Sequence, residues 1–154
     1  MDYTKGITYD RPHGGTAILW NKKLNAKIFM NQDQSIIGLE VCLNSSSLNF
    51  LNVYMPYCCD SSYDECINYL SKISTLCDET DSPNVFIGGD FNACPNNNFG
   101  KLLSQFCLEH ELKISDKIIL PVDSFIFVSD THGTCSWLDH VVSSKSADDS
   151  IQNI

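Results

Sequence analysis

The sequence has 154 residues, of which 43% are hydrophobic and 10% aromatic, enough to bury the core of one globular domain and too apolar for a disordered tail. Its formal net charge of −9, from 19 acids and 10 bases, would repel a polyanion at long range, which argues against a simple electrostatic DNA-binding module. No run approaches the ~20 apolar residues of a membrane span, and the N-terminus lacks the apolar region of a signal peptide. We therefore expect an intracellular protein that is neither secreted nor membrane-bound.

The first half of the chain predicts several strands followed by a helix. Strands are expected at residues 16–20, 26–30, 36–43 and 47–55, the last two joined as a hairpin by residues 44–46. Pro56 lacks an N–H and so ends the ladder, which leaves Tyr54 close to the end of its strand. From Ser62 to Cys77, apolar residues recur every three or four positions. This spacing predicts an amphipathic helix of about four turns, capped by Ser61 or Ser62.

The second half predicts alternating strands and helices. A buried strand at residues 85–87 follows the helix, so strand, helix and strand form a crossover unit that covers one face of a sheet. Further on, we predict a helix at 99–109, an edge strand at 112–116 and strands at 124–128 and 136–143. Residues 145–154 are polar and are expected to fray. The sequence therefore divides into a domain at 1–144 and a polar tail at 145–154.

The eight cysteines do not form a recognisable metal or disulfide pattern. No C-x-x-C pair is present, and the adjacent Cys58 and Cys59 do not have zinc-finger spacing. Several occupy positions suited to an apolar side chain, such as Cys42 in a strand pattern and Cys77 in a helical one. We predict that most of them are reduced thiols in the core.

Asp90 and Asn92 stand at the end of the 85–87 strand, directly after Gly88 and Gly89. The glycines let the backbone turn tightly, and such a turn can bring both polar side chains toward one pocket. There an acid and an amide can bind a metal, orient a water or contact a phosphate. The alternative is an Asx-type turn, in which the two side chains only bond local backbone N–H groups.

Four stretches in a fixed order carry a family signature. They are Arg11-Pro12-His13-Gly14-Gly15-Thr16-Ala17-Ile18, Asn52-Val53-Tyr54-Met55-Pro56, Gly88-Gly89-Asp90-Phe91-Asn92-Ala93 and Ser136-Trp137-Leu138-Asp139-His140-Val141-Val142-Ser143. Together they resemble the endonuclease/exonuclease/phosphatase superfamily, and most of all the endonuclease domains of non-LTR (LINE-like) retrotransposons. The resemblance covers roughly residues 9 to 144 and implies a four-layer α/β sandwich, with two mixed β-sheets flanked by helices.

The resemblance also implies a chemistry, the Mg²⁺- or Mn²⁺-dependent hydrolysis of a phosphodiester in DNA. The acid matching Asp90 orients or deprotonates the attacking water, and the amide matching Asn92 holds that water and the phosphate. The tyrosine matching Tyr54 contacts the phosphate or assists the leaving group, and the acid matching Asp139 pairs with a catalytic histidine. Arg11 is the expected phosphate contact. Action on genomic DNA would place the protein in the nucleus.

Parts of the family pattern have no counterpart in the sequence. The family begins with strands bearing an asparagine and a metal-ligating glutamate and ends with a serine-aspartate-histidine strand, so the resemblance implies a partial domain, truncated at both ends. The metal ligands stay unassigned, with Asp90 and Asn92 as candidates. His140 directly follows Asp139 and would point to the opposite face of a regular strand, so we expect it to be a partly buried structural residue.

Three functions are open at this point. The first is a retrotransposon-type DNA endonuclease that is weak or inactive in truncated form, because losing such groups usually costs several orders of magnitude in rate. The second is a non-catalytic, vestigial or binding domain, whose exposed sheet edges would invite self-association. The third is a small-molecule phosphatase of the same superfamily.

Overall fold

A mixed six-stranded sheet is the centre of the computed structural model, which describes residues 15–30, 35–57, 59–121, 123–129 and 133–151. The strands are β1 (Ala26–Met30), β2 (Ile36–Cys42), β3 (Ser47–Tyr54), β4 (Val85–Asp90), β5 (Leu112–Ile114), β6 (Phe127–Ser129), β7 (Thr134–Ser136) and β8 (Asp139–Ser144). The helices are α1 (Tyr63–Asp78), α2 (Asn98–Glu109), α3 (Ser115–Ile119) and α4 (Lys145–Ile151). A short 3₁₀ turn, Asp60–Ser62, precedes α1.

The order of strands in the sheet is β1-β2-β3-β4-β8-β5. Strands β1, β2 and β3 form an antiparallel meander, and α1 then crosses over so that β4 runs parallel to β3. Strand β8 returns antiparallel between β4 and β5. Strands β6 and β7 form a separate two-stranded ribbon. The ends of β3 and β4 that carry their last residues therefore lie side by side, next to the start of β8.

One face of the central sheet packs against α1 and α2 and forms the main hydrophobic core. Alternate strand residues point to this face and are buried, as the 2-residue period of a strand requires. The helices contribute the apolar side of their 3.6-residue period. The strand members include Leu51, Val53, Ile87 and Val142, and the helical members include Cys66, Leu70, Ile73, Phe99, Leu103 and Phe106.

The opposite face of the sheet is also apolar. Phe50 and Phe86 stack there with ring centroids 5.2 Å apart, and Leu39 and Val41 are buried beside them. The segment 18–24 runs along this face and encloses with it a cleft of about 630 Å³. A sheet that is apolar on both faces is an inner layer, which is the arrangement that a multilayer sandwich requires.

The predicted fold class is confirmed. The architecture is α/β, with a mixed six-stranded sheet, a small second sheet and four helices in the described ranges, consistent with the four-layer sandwich. The hairpin, the crossover helix and the helix before the edge strand all form close to their predicted positions. No helix of the described ranges is long and apolar enough to cross a bilayer.

Several of the predicted strands were wrong or too long. Residues 16–20 form no strand, because this segment lies across the sheet and is held by the Asn52 side chain, which donates to the Ala17 carbonyl at 2.9 Å. The edge strand stops at Ile114, since the next residues begin α3. Residues 124–126 precede β6. The predicted strand 136–143 is two strands, interrupted by Trp137 and Leu138.

The prediction that residues 145–154 fray was wrong for residues 145–151, which form α4, and residues 152–154 lie outside the described part of the chain. Polar composition is misleading here: Asp148 is buried and bonds Lys113 and Ser115, which fixes the helix against β5 and β8. The division into a domain at 1–144 and a tail stays a prediction. Ser62 precedes α1 as expected but makes no capping bond, since its hydroxyl donates to the Tyr57 carbonyl instead.

The described cysteines are free thiols, but fewer of them than predicted lie in the core. Cys66 and Cys107 are buried, whereas Cys42, Cys59 and Cys135 are exposed. Cys42 is the last residue of β2, where the chain leaves the sheet, so its place in an apolar run did not predict its burial.

Candidate active site

Tyr54, Asp90 and Asp139 lie next to one another at one edge of the sheet. Tyr54 is the last residue of β3 and pairs in register with Asp90, the last residue of β4. Asp90 pairs in turn with Asp139, the first residue of β8. Residues in register on neighbouring strands point to the same face, so the three side chains share the face opposite the helical core.

The backbone at this edge is built around Gly89. Its φ is +137°, and a Cβ there would overlap the Val53 carbonyl, so no side chain fits between β3 and β4 at this point. Beyond Gly89, one main-chain hydrogen bond on each side still joins the neighbouring segments. The Met55 N–H donates to the Asp90 carbonyl at 2.8 Å, and the Phe91 N–H donates to the Leu138 carbonyl at 3.1 Å. The site acids are therefore fixed by main-chain bonds on both sides.

Asn92 sits in the turn just after Asp90. Its φ of +50° places it in the left-handed region, which asparagine tolerates better than most residues. Its N–H donates to Asp90 Oδ1 at 2.9 Å, and its Nδ2 donates to the Met55 carbonyl at 2.8 Å. The local Asx-type turn is thus present, but it uses only part of each side chain. Asp90 Oδ2 and Asn92 Oδ1 make no hydrogen bond to the described residues.

Two like charges meet at this edge. Asp139 is exposed and Asp90 half-buried, and neither has a salt bridge within the part of the chain described. Partial loss of hydration raises the pKa of the Asp139 carboxyl, the negative charge of Asp90 raises it further, and His140 opposes both. Two neighbouring carboxylates without a basic partner attract a cation, and a carboxyl with a raised pKa, such as that of Asp139, is common in functional sites.

A cleft of about 520 Å³ opens beside the two acids. Its walls are largely apolar and include Leu120, Ile126, Trp137 and Val141. Its polar lining is Asp90 and Asp139 together with the largely buried Asp116 and His140. Apolar walls with a few polar groups on one side are typical of ligand sites, because they exclude water and leave the polar groups to set orientation.

The structure brings together most of the residues singled out from the sequence. Tyr54, Asp90 and Asp139 are neighbours, and Asn92 is in the adjoining turn. Arg11, the expected phosphate contact, lies outside the described residues. His140 points away from Asp139 as predicted, and it is fully rather than partly buried.

One residue of the region was missed in the sequence. Asp116 was assigned to an edge strand, but it opens α3 and accepts a hydrogen bond from His140 behind the site. Its partner is 24 residues away along the chain, and no local pattern announces such a contact.

The described residues offer two carboxylates, not three, to a metal ion. No group of three or more histidine, cysteine, aspartate or glutamate side chains in the described ranges is placed so that it could hold a metal ion. Asp90 and Asp139 nevertheless fit the way in which Mg²⁺ is commonly held, by one or two carboxylates together with waters and substrate oxygens. Asn92 follows Asp90 in the adjoining turn, and its Oδ1 atom is a further oxygen of the kind that Mg²⁺ binds.

Residues 2–149 match the sequence profile described as the Endonuclease/Exonuclease/phosphatase family. No curated protein sequence matches the chain. Solved structures with a similar fold include the endonuclease domain of TRAS1, a telomere-specific non-LTR retrotransposon, with a TM-score of 0.66, 16% identity and 87% of this chain covered.

Two further structures show the range of proteins with this fold. The 3′ phosphatase NExo from Neisseria, bound to product DNA hairpin, has a TM-score of 0.58, 15% identity and 81% coverage of this chain. The Bacteroides thetaiotaomicron VPI-5482 mannosyl-6-phosphatase Bt3783 has a TM-score of 0.52, 16% identity and 72% coverage. The chain spans 66%, 60% and 43% of the TRAS1, NExo and Bt3783 structures. At these identities the likeness is one of fold.

Proposed function

The chain belongs to the Endonuclease/Exonuclease/phosphatase family, and from this membership and the site geometry we propose that it hydrolyses phosphodiester bonds in DNA, as a retrotransposon-type endonuclease does. The observation that carries the proposal is the alignment of Tyr54, Asp90 and Asp139 on three neighbouring strands. Three residues from distant parts of the sequence thus meet at one edge of the sheet, in the order in which the family signature places them, and two of them, Asp90 and Asp139, line the cleft.

We assign separate roles to the four polar side chains. Asp90 orients and deprotonates the attacking water through Oδ2, since its Oδ1 already accepts the Asn92 N–H. Asn92 holds that water through its side-chain amide, whose orientation is fixed by the Met55 carbonyl. Tyr54 contacts the phosphate or the leaving group from the end of β3. Asp139 supplies a second negative charge beside Asp90, and this charge helps to keep a divalent cation in the cleft.

Asp90 and Asp139 are the residues that would hold a divalent cation, Mg²⁺ or Mn²⁺, with Asn92 as a further oxygen donor. When bound, such an ion polarises the phosphoryl oxygen and lowers the pKa of bound water. The two acids can hold the ion because no basic side chain in the described residues forms a salt bridge with either of them. The same cation would also offset the formal net charge of −9, which otherwise opposes the approach of DNA.

We propose that turnover by this chain is slow. His140 is buried on the other face of β8 and cannot stabilise charge on the phosphorus. In the described part of the chain, no third acid or histidine joins Asp90 and Asp139 in a group that could hold a metal ion. Groups that act on the transition state each contribute a factor of about 10²–10³ or more, so a reduced set leaves weak catalysis.

The test is nicking of supercoiled plasmid by the purified chain, with and without Mg²⁺. We expect slow, Mg²⁺-dependent nicking that is lost in Asp90→Asn and retained in Asp78→Asn, a matched control at the exposed end of α1. Nicking that persists in Asp90→Asn would contradict the assignment of the site. The same enzyme is offered a small phosphomonoester, because the fold is shared with a mannosyl-6-phosphatase, and faster release of that phosphate would favour a phosphatase instead.

A non-catalytic binding domain is the second candidate. Large apolar side chains are exposed around α3 and the β6–β7 ribbon, and β1 is an edge strand that bonds only β2 within the described residues. Exposed apolar surface and an open edge both favour association with another chain. The exposed residues are Ile118, Ile119, Leu120, Phe125, Ile126, Phe127 and Val128. A chain that stays monomeric over a wide concentration range in sedimentation, and yet nicks DNA, would count against this candidate.

A further inference from the structure

A buried histidine and aspartate lie directly behind the acid pair. His140 Nδ1 contacts Asp116 Oδ2 at 2.8 Å, and His140 Nε2 contacts the Ala93 carbonyl at 2.7 Å. Asp116 Oδ1 also accepts the Val141 N–H at 2.8 Å. His140 is 2% exposed and Asp116 is 9% exposed. These bonds join three separate parts of the chain: the start of β8, the start of α3 and the turn after β4.

Both nitrogens of the His140 ring are committed. The Ala93 carbonyl can only accept, so Nε2 donates to it. The other nitrogen is held by a carboxylate that is itself fixed by a main-chain N–H. The ring lies between Phe91 and Trp137, at centroid distances of 6.1 and 5.9 Å. A ring that is enclosed and doubly bonded in this way has no free nitrogen for a substrate.

The Ala93 carbonyl matters because it follows the left-handed Asn92. Asparagine tolerates that region better than most residues, but a non-glycine residue there is strained and persists only where its surroundings hold it. On one side the turn is held by the Asn92 bonds to Asp90 and Met55. On the other side the bond from His140 is the side-chain contact that holds it.

We propose that His140 and Asp116 are positioning residues, which fix the turn 90–93 against β8 so that Asp90 and Asn92 face Asp139. The inference rests on the proposed function, since it concerns the same site. Strand alternation explains how one dipeptide serves both purposes: the Asp139 side chain is exposed at the cleft, and the His140 side chain lies on the other face of β8, where it is buried. Neither His140 nor Asp116 bonds the substrate in this assignment.

The first test measures the turn itself, by amide hydrogen exchange under native conditions. His140→Phe keeps a ring of similar size and removes both bonds, whereas His140→Gln keeps a donor for the Ala93 carbonyl. We expect exchange of the Asn92 amide, relative to the core amide of Ile87, to rise about tenfold or more in His140→Phe, because a buried bond is lost. In His140→Gln we expect the ratio to return toward that of the unsubstituted chain.

Ser143→Ala is the matched control for general loss of stability. Ser143 is buried on the same strand, but it bonds Ser115 and Asp148 at the other end of β8. This variant should lower global stability without raising the Asn92 ratio. An equal ratio in His140→Phe and Ser143→Ala would overturn the proposal. If His140→Phe does not fold, the exchange ratio of the Asn92 amide is compared between His140→Gln and Asp116→Ala, since only Asp116→Ala removes the carboxylate that orients the ring. A higher ratio in Asp116→Ala supports the proposal, and equal ratios overturn it.

The second test is catalytic and is read separately. With plasmid as substrate, His140→Phe should lower kcat with little change in KM, and His140→Gln should restore part of kcat. An unsubstituted chain that does not nick at all would refute the proposed function, whereas the exchange ratio would still decide whether His140 holds the turn. A normal kcat in His140→Phe, together with a raised exchange ratio, would overturn the positioning role.

Discussion

Replacing Asp139 by asparagine is expected to stabilise the fold while it impairs the site. Asp139 and Asp90 are register partners, and the β-carbons of such pairs lie ~4.5–5.5 Å apart. At ~5 Å, two like charges repel by ~3 kcal/mol at an effective dielectric constant of 20 and by ~1 kcal/mol in water. Because Asp139 is exposed, the lower figure applies. We therefore expect Asp139→Asn to raise the free energy of unfolding by about 1 kcal/mol.

The assay is urea unfolding at pH 7 in EDTA, which keeps divalent cations from masking the repulsion. Asp148→Asn is the matched control, because the same substitution removes a carboxylate that is paired with Lys113 at 2.6 Å and bonded by Ser115. It should lower the free energy of unfolding by ~1–3 kcal/mol. Salt at 1 M should shrink the gain from Asp139→Asn, since it screens exposed charges.

A higher free energy of unfolding in Asp139→Asn, together with a lower one in Asp148→Asn, would establish that Asp139 is repelled by a neighbouring charge whereas Asp148 is stabilised by its partners. A lower stability of Asp139→Asn, or a gain that salt does not reduce, would refute the reasoning from like-charge repulsion. If the more stable Asp139→Asn chain also loses Mg²⁺-dependent nicking, the two repelling charges belong to a site whose activity needs both of them.

Three further predictions concern other parts of the chain. Asn49 is buried, and neither polar atom of its side chain has a hydrogen-bond partner among the residues that the structure describes. Asn49→Leu should therefore raise the thermal midpoint by a few degrees in calorimetry, whereas Asn49→Asp should lower it. Hydrogen bonds from Ser61 and, to a smaller extent, from Ser62 lower the pKa of Cys59 to about 7. Alkylation of Cys59 by iodoacetamide should therefore reach half its maximal rate near that pH, and Ser61→Ala should move this midpoint to a higher pH. The hydrogen bond from Lys113 lowers the pKa of Asp148. The stability that Asp148 contributes is therefore fully present above ~pH 4 and is lost as the pH falls through the lowered pKa of the folded state. Acid unfolding should accordingly be less steep in Asp148→Asn.

The parts of the site that local pattern could predict are those at strand ends. The apolar run before Asp90 and the proline after Tyr54 both mark where a strand stops, and residues at such points gather at one edge of a sheet. The alternation of β8 likewise predicted that Asp139 and His140 face opposite ways. These inferences need only the periods of strands and turns, which are properties of a few neighbouring residues.

The parts that escaped prediction depend on partners far along the chain. The residue 16–20 segment has strand-like composition, but it meets the sheet through the Asn52 side chain rather than through a ladder. Helix α4 is polar, yet Asp148 is buried because Lys113 and Ser115 are there to bond it. In each case a tertiary contact overrides local propensity, and the sequence carries no local sign of that contact.

The treatment of acids in this chain separates scaffold from site. Two carboxylates that the fold buries are each matched to a base, Asp116 to His140 and Asp148 to Lys113. At the cleft the rule is reversed, since Asp90 and Asp139 are set side by side with no base bonded to either in the described residues. Folding alone gives no reason for that arrangement, because separating or neutralising the two charges would stabilise the chain. A ligand that carries positive charge removes the repulsion, so the unpaired acids are the feature of this structure that argues most directly for a bound cation and for the chemistry that it supports.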